Sequence, residues 1–155
     1  MARRDDDIRL VNSLYRVTNQ SVRVLDQHLM QRHGTTFVQA LTLSVICSFE
    51  QPQPNLVAEV LGQQSQTITG VIDRLERAGH LLRRRDLADR RAVRIELTPS
   101  GARLASAVGE TLAELGHQLV AGLDERQRAR TIEDIDVLLR SLVPEEMHRT
   151  YDARN

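Results

Sequence analysis

Two groups of side chains between Gln64 and Arg94 have chemistry suited to a nucleic-acid duplex. The first is Gln64-Ser65-Gln66-Thr67, followed by Thr69, Gly70 and Arg74. A glutamine amide can bond bidentately to an adenine edge, and hydroxyls serve bases or phosphates. Gly70 leaves room for close approach of a DNA backbone or base. The second is Arg84-Arg85 and, beyond them, Asp86-Leu87-Ala88-Asp89-Arg90-Arg91. Cations on a narrow ribbon of this kind suit insertion into a minor groove. All 21 basic residues of the chain are arginine. This reads mainly as genome composition, although the planar guanidinium also suits phosphate and base-edge recognition.

The charge balance of 21 basic against 21 acidic side chains conceals a segregation. Recognition of DNA needs a basic patch and not a basic protein. Ser65 to Arg94 holds eight arginines against four acids, a charge of +4, and the remainder carries −4. A solvated charged face would account for the charges alone, but not for the order of elements around them.

That order is helix, strand, arginine-rich turn, strand. Ile68, Val71, Ile72 and Leu75 follow the spacing of an inward helical stripe over Ser65–Ala78, stopped at Gly79. The same spacing turns Gln66, Thr69, Gly70, Asp73, Arg74 and Arg77 outward. Asp73 would repel phosphate there, so it is expected to pair with Arg77 or with an arginine of the strand–turn–strand hairpin. A short helix over Leu56–Leu61, capped by Asn55 and ended by Gly62, precedes it and makes a helix-turn-helix. Strands are predicted at Leu81–Arg84 and Val93–Leu97; in the second, Val93, Ile95 and Leu97 alternate with Arg94 and Glu96.

The flanks are helical. Positions 8, 11, 15, 22, 25 and 29 form one stripe from Ile8 to Leu29, preceded by Asp5-Asp6-Asp7 and closed by Arg32-His33-Gly34. Thr35 or Thr36 caps a second helix running to about Phe49, apolar almost all round and so central. Gln51-Pro52-Gln53-Pro54 stops it. Thr98 and Pro99 open a long helix with a stripe from Leu104 to Leu123. Asp124 caps a last helix with a stripe of Ile132, Ile135, Leu138, Leu139 and Leu142. These flanking stripes exceed what one small domain covers, so dimerisation is the direct explanation; packing within one chain is the competing one.

Aromatic residues make up 3% of the chain and tryptophan is absent, so aliphatic side chains must build the core. No apolar run reaches the ~18 residues of a membrane span, and no signal peptide is evident. Cys47 is the one cysteine. It excludes an internal disulfide and fits a reducing cytosol. Within the most apolar helix it is expected to be a buried small hydrophobe and not a redox sensor. The histidines are scattered, with no metal-ligand spacing, and no enzyme constellation stands out; neither a metal nor a cofactor is expected.

VIDRLERAGHLLRR followed by DLADRRAVRIELTPSG closely resembles the winged-helix signature of the multiple antibiotic resistance regulator (MarR) family. The resemblance extends more weakly over nearly the whole chain. It implies a mostly α fold with a small β-hairpin wing: a winged helix-turn-helix carried on a terminal-helix dimerisation platform. The corresponding divisions are 1–34 for the N-terminal platform helix, 35–98 for the DNA-binding domain and 99–144 for the C-terminal dimerisation helices, with a frayed tail at 145–155. The implied function is a cytoplasmic homodimeric repressor that binds double-stranded DNA at a palindromic operator and is released by a small aromatic or phenolic effector.

In the resembled family an arginine of the wing enters the minor groove, braced by an aspartate; here these match Arg91 and Asp89, with Arg90 next in line. Gly70 departs from the larger, often basic residue of relatives. Family pockets lie between the first, second and fifth helices, where Tyr15, Thr18 and Asn19 are the candidate polar contacts. The alternative is a winged-helix protein–protein module or an enzyme that does not read DNA, separable by salt-sensitive duplex binding.

Overall fold

The computed structural model describes residues 2–86 and 92–142. The wing-tip residues Asp89, Arg90 and Arg91 and the expected tail at 145–155 lie outside them.

Helix α1 (Ala2–His33) extends beyond its predicted stripe at both ends, with Asp5 in its first turn. It stops where Gly34 takes φ 65° and donates its N–H to the Met30 carbonyl at 3.0 Å, a backbone turn that favours a residue without Cβ. Thr36 opens α2 (Phe37–Ser48) through a reciprocal capping box with Gln39. The Asp26 carboxylate accepts the Phe37 N–H at 2.6 Å, so an α1 side chain also satisfies the start of α2.

The proline segment behaves differently from expectation. Helix α3 (Pro54–Val60) begins at Pro54, with Gln53 and not Asn55 as its N-cap. Proline is tolerated in a first helical turn because the N–H it lacks would have no helical partner. Pro54 therefore starts a helix. Helix α4 spans Ser65–Arg77 and leads into strands β1 (Leu81–Arg85) and β2 (Val93–Leu97). They pair antiparallel, with Arg83 opposite Ile95 and Arg84 opposite Arg94. The Ile95 N–H also donates to the Pro52 carbonyl at 3.0 Å, so the α2–α3 connection covers part of the outer edge of β2.

Helix α5 (Pro99–Leu119) is capped by Thr98, whose hydroxyl accepts the Gly101 N–H. It ends at Leu119, short of the stripe's predicted last member Leu123, which lies in the following turn. The first turn of α5 sits on the loop before β1. Thr98 donates its N–H to the His80 carbonyl at 3.0 Å and its hydroxyl to the Gly79 carbonyl at 2.7 Å. A Cβ on Gly101 would lie 1.9 Å from the His80 oxygen. Helix α6 (Glu125–Leu142) opens with a reciprocal pair: Asp124 accepts the Gln127 N–H at 2.8 Å and donates its own to the Gln127 side chain at 2.9 Å.

The main core joins Leu43 and Ile46 of α2, Val57 of α3, all four stripe residues of α4, Leu81, Ile95 and Ala105. A smaller cluster of Leu29, Ala40 and Val108 ties α1, α2 and α5 together. The α5 stripe and the end of the α1 stripe are covered in these clusters, but the first two thirds of α1 and the α6 stripe find no such cover among the described residues. Residues 4–20 of α1 are all exposed, and no residue of α6 is buried. Cys47 also departs from expectation: it is exposed, because the buried side of α2 is Ala40, Thr42, Leu43, Val45 and Ile46. Desolvation still pushes its thiol pKa up, which disfavours the reactive thiolate. Among the described residues no helix is long and apolar enough to cross a membrane.

Candidate nucleic-acid interface

Helix α4 presents its two faces as its spacing requires. Ile68, Val71, Ile72 and Leu75 are buried, while Gln64, Ser65, Gln66, Thr67, Thr69 and Arg74 are exposed and Gly70 is half-buried. The Gln64 side chain makes no capping bond at the N-cap, leaving its amide uncommitted there. Thr69 donates its hydroxyl to the Ser65 carbonyl at 2.8 Å, so it offers a lone pair and a methyl to an outside partner. Arg74 lies back along the helix, donating from Nε to the Gly70 carbonyl at 3.0 Å. A Cβ on Gly70 would meet only the flexible end of Arg74, at an ordinary contact distance of 4.0 Å, so the arginine's course does not depend on the glycine.

The hairpin stands beside this face, and its arginines divide by role. Arg84 and Arg94, opposite each other, are each matched by an acid: Arg84 with Glu96 at 3.3 Å and Arg94 with Asp86 at 2.6 Å. Like charges placed directly across a ladder destabilise it, and these pairings offset that repulsion. Arg84 is otherwise exposed, as is Arg85. Among the described residues Arg74, Arg77 and Arg85 make no ion pair. The arrangement is thus an outward polar helix face flanked by cations that remain available to phosphate.

Asp73 pairs with an arginine of the hairpin, as one of its two expected partners. That arginine is Arg83, which bonds Asp73 and Glu76 together; Arg77 instead donates to the Asp73 backbone carbonyl at 3.2 Å. Partial burial opposes the charge on Arg83, but the bonds and charges of Asp73 and Glu76 outweigh it and raise its pKa above the ordinary value. Arg83 is absent from the site residues predicted from sequence. The signal lay in strand alternation, which places it on the same side as buried Leu81 and opposite buried Ile95, against α4.

The polar candidates on α1 lie elsewhere. Tyr15, Thr18 and Asn19 are exposed, and Asn19 donates to the Tyr15 carbonyl at 2.7 Å. Tyr15 and Asn19 line a surface groove with Leu119. That groove adjoins a cavity of about 430 Å³ between α1, α2 and α5, with Ser21, Val24 and Leu119 common to both. Leu25, Phe37, Leu41, Leu112 and Leu115 form the apolar wall of the cavity, and Ser21 and Gln118 supply its polar side chains. Among the described residues no ionisable side chain lines it. Among the described residues, no group of three or more histidine, cysteine or acidic side chains is placed to hold a metal ion.

The MarR family profile matches residues 33–92, the span from the end of α1 to the foot of β2. The HTH-type transcriptional regulator TtmR of Methylorubrum extorquens (strain PA1) is 33% identical over 99 residues, covering 64% of this chain and 51% of that protein. The chain thus spans about half the length of the curated relative it matches. The transcriptional regulator BldR of Sulfolobus solfataricus superposes with a TM-score of 0.82 at 22% identity, over 91% of this chain and 99% of BldR; at that identity the likeness is one of fold. S. aureus MepR, in complex with DNA, superposes with a TM-score of 0.79 at 26% identity, over 86% of this chain and 98% of MepR.

Proposed function

We propose that this chain is a DNA-binding transcriptional regulator of the MarR type, on the premise of the MarR-family match over residues 33–92. The observation that carries the proposal is the outward face of α4, polar from Gln64 to Arg74, set beside a hairpin whose arginines flank it. Helix α4 enters the major groove, with Gln66 and Thr69 toward base edges and Ser65, Thr67 and Arg74 toward bases or phosphates. Arg84 and Arg85 approach the backbone. At the wing tip Arg91 enters the minor groove, braced by Asp89, with Arg90 beside it.

The functional unit is a homodimer acting as a repressor in the cytoplasm. Its support is the exposed apolar surface of the terminal helices, including Ile8 at 52%, Val11 at 66%, Ile132 at 62% and Leu142 at 79% exposure. Each such side chain left in water forgoes roughly 1.5–3 kcal/mol of burial, and a second copy can cover them. A two-fold dimer reads a palindromic operator with half-sites about one DNA turn apart.

Release comes from a small aromatic or phenolic effector bound in the α1–α2–α5 cavity, whose ~430 Å³ falls within the usual range for ligand sites. Its apolar walls favour the uncharged form of such a ligand, because an unpaired charge there would lose hydration without compensation. Tyr15, Thr18 and Asn19 stand on the adjoining stretch of α1 by which a ligand would approach.

The test is a fluorescence-anisotropy titration of the full chain on the duplex upstream of its own coding sequence, beside a random duplex of equal length. Tighter binding to the first, weakening steeply as salt rises, is expected. Absence of binding to either duplex at low salt rejects the regulator and leaves the protein-interaction module or enzyme.

A further inference from the structure

One hairpin arginine is committed to the reading helix. Arg83 donates from both terminal nitrogens, one to Asp73 and one to Glu76, and its backbone N–H reaches Glu76 Oε1 at 3.3 Å. Asp73 and Glu76 lie three residues apart on α4, so a single guanidinium spans adjacent positions of one helical face. The backbone of Arg83 is fixed in the hairpin opposite buried Ile95. Bonds to two carboxylates add to the buried anchors Leu81 and Ile95 a polar link that resists tilting of the hairpin against α4.

We propose that Arg83 is a positioning residue for DNA recognition. It couples hairpin and reading helix into one surface, and it masks the two carboxylates that α4 would otherwise turn toward phosphate. The inference rests on the chain being a DNA-binding regulator. The side chains of Arg83, Asp73 and Glu76 retain 29%, 47% and 34% of their exposure. An uncancelled charge in such a half-exposed group is felt over about the ~10 Å Debye length at 0.1 M salt. Arginine is required because its planar fork meets two acceptors at once, whereas lysine presents a point charge.

The variants are Arg83→Gln, Arg83→Lys and the triple substitution Arg83→Gln with Asp73→Asn and Glu76→Gln. Each full chain is titrated on the promoter and random duplexes, and its hairpin amide exchange is followed without DNA. Arg83→Gln is expected to weaken random-sequence binding about tenfold at ~0.1 M salt, and promoter binding by more than that, so that the preference for the promoter falls. The triple variant regains most of the loss on random DNA, because no carboxylate remains to be masked, but does not regain preference for the promoter. Arg83→Lys keeps random-sequence binding and loses that preference. Hairpin amides exchange faster in Arg83→Gln while those of α5 do not change.

Undiminished DNA binding by Arg83→Gln, or a triple variant as weak on random DNA as the single one, overturns the masking role. Unchanged hairpin exchange overturns the coupling role. Should the wild-type chain bind neither duplex, the regulator reading fails and masking fails with it, while exchange still decides the coupling.

Discussion

Gln66 is the outward residue of α4 best equipped to tell bases apart, because its amide both donates and accepts. Gln66→Ala should lower the ratio of operator to random-sequence affinity by roughly 1–3 kcal/mol, with little change on random DNA. Paired anisotropy titrations measure this, and equal losses on both duplexes would reassign Gln66 to backbone positioning. Gly101 makes the opposite kind of contribution, through what it lacks. Its neighbour is the His80 carbonyl, a backbone atom that cannot rotate away, at 1.9 Å from where a Cβ would sit. Gly101→Ala should therefore destabilise the fold by about 1–3 kcal/mol or more, read as a lower denaturation midpoint. A variant as stable as the wild type would mean that α5 can slide off the α4–β1 turn without penalty. Gly70 has no such constraint, its nearest prospective neighbour being the flexible end of Arg74.

At the scale of elements, α1 is held to α5 by Arg32–Glu114 at 2.6 Å and by His33 Nε2 to the Thr111 hydroxyl at 2.8 Å. The bond from Arg32, and then its charge, keep the Glu114 carboxyl below the usual carboxylate range. A depressed folded-state pKa contributes stability above the unfolded value of about 4.3, and that contribution is lost as pH falls through the folded value. Glu114→Gln should lower the denaturation midpoint slightly at neutral pH, with the gap to wild type closing in acid. A gap that widens in acid would assign the effect to another group. The stripes of α1 and α6 support a different test. Ile132→Asp and Val11→Asp set a charge on surface exposed in one chain, so they should split a dimer, at a cost of several kcal/mol for each charge left against apolar surface. Leu112→Asp serves less well, because Leu112 packs on the chain's own Leu29, Ala40 and Val108 cluster. Sedimentation decides the matter: a wild-type monomer at micromolar concentration removes both the dimer and the palindromic operator.

For the whole molecule, regulation is expected to act through spacing. In the proposed dimer, the two reading helices must lie about 34 Å apart to enter successive major grooves. The cavity lies between α1, which carries one of the exposed stripes, and α5, the helix that follows β2 directly. A ligand there favouring a non-binding spacing by roughly 2–3 kcal/mol would weaken operator binding some 30- to 150-fold. Linkage then requires operator DNA to weaken effector binding by the same factor. Calorimetric titration of a phenolic effector with and without saturating operator measures it, and equal affinities would leave a regulator controlled by abundance or by a partner.

The α4 stripe, the hairpin and its alternation were legible in the sequence, because periods of 3.6 and 2 are local consequences of backbone geometry. So was the relation of Asp73 to an arginine, since an acid on a face read as meeting phosphate needs a partner. Which arginine answered it depended on how the hairpin lies against the helix, and this brought Arg83 to both Asp73 and Glu76. The exposure of Cys47 had the same origin: an almost wholly apolar helix does not announce which side meets its neighbours, and α3, α4 and α5 chose the side of Leu43 and Ile46. The glycine of LTP-x-G was visible as a letter in a motif, but its reason, the His80 carbonyl, comes from a residue 21 positions earlier. Local periodicity thus fixed the elements and, for α4 and the hairpin, their inward faces, whereas the side that α2 buries and the contacts between elements distant in sequence awaited the packing that brings them together.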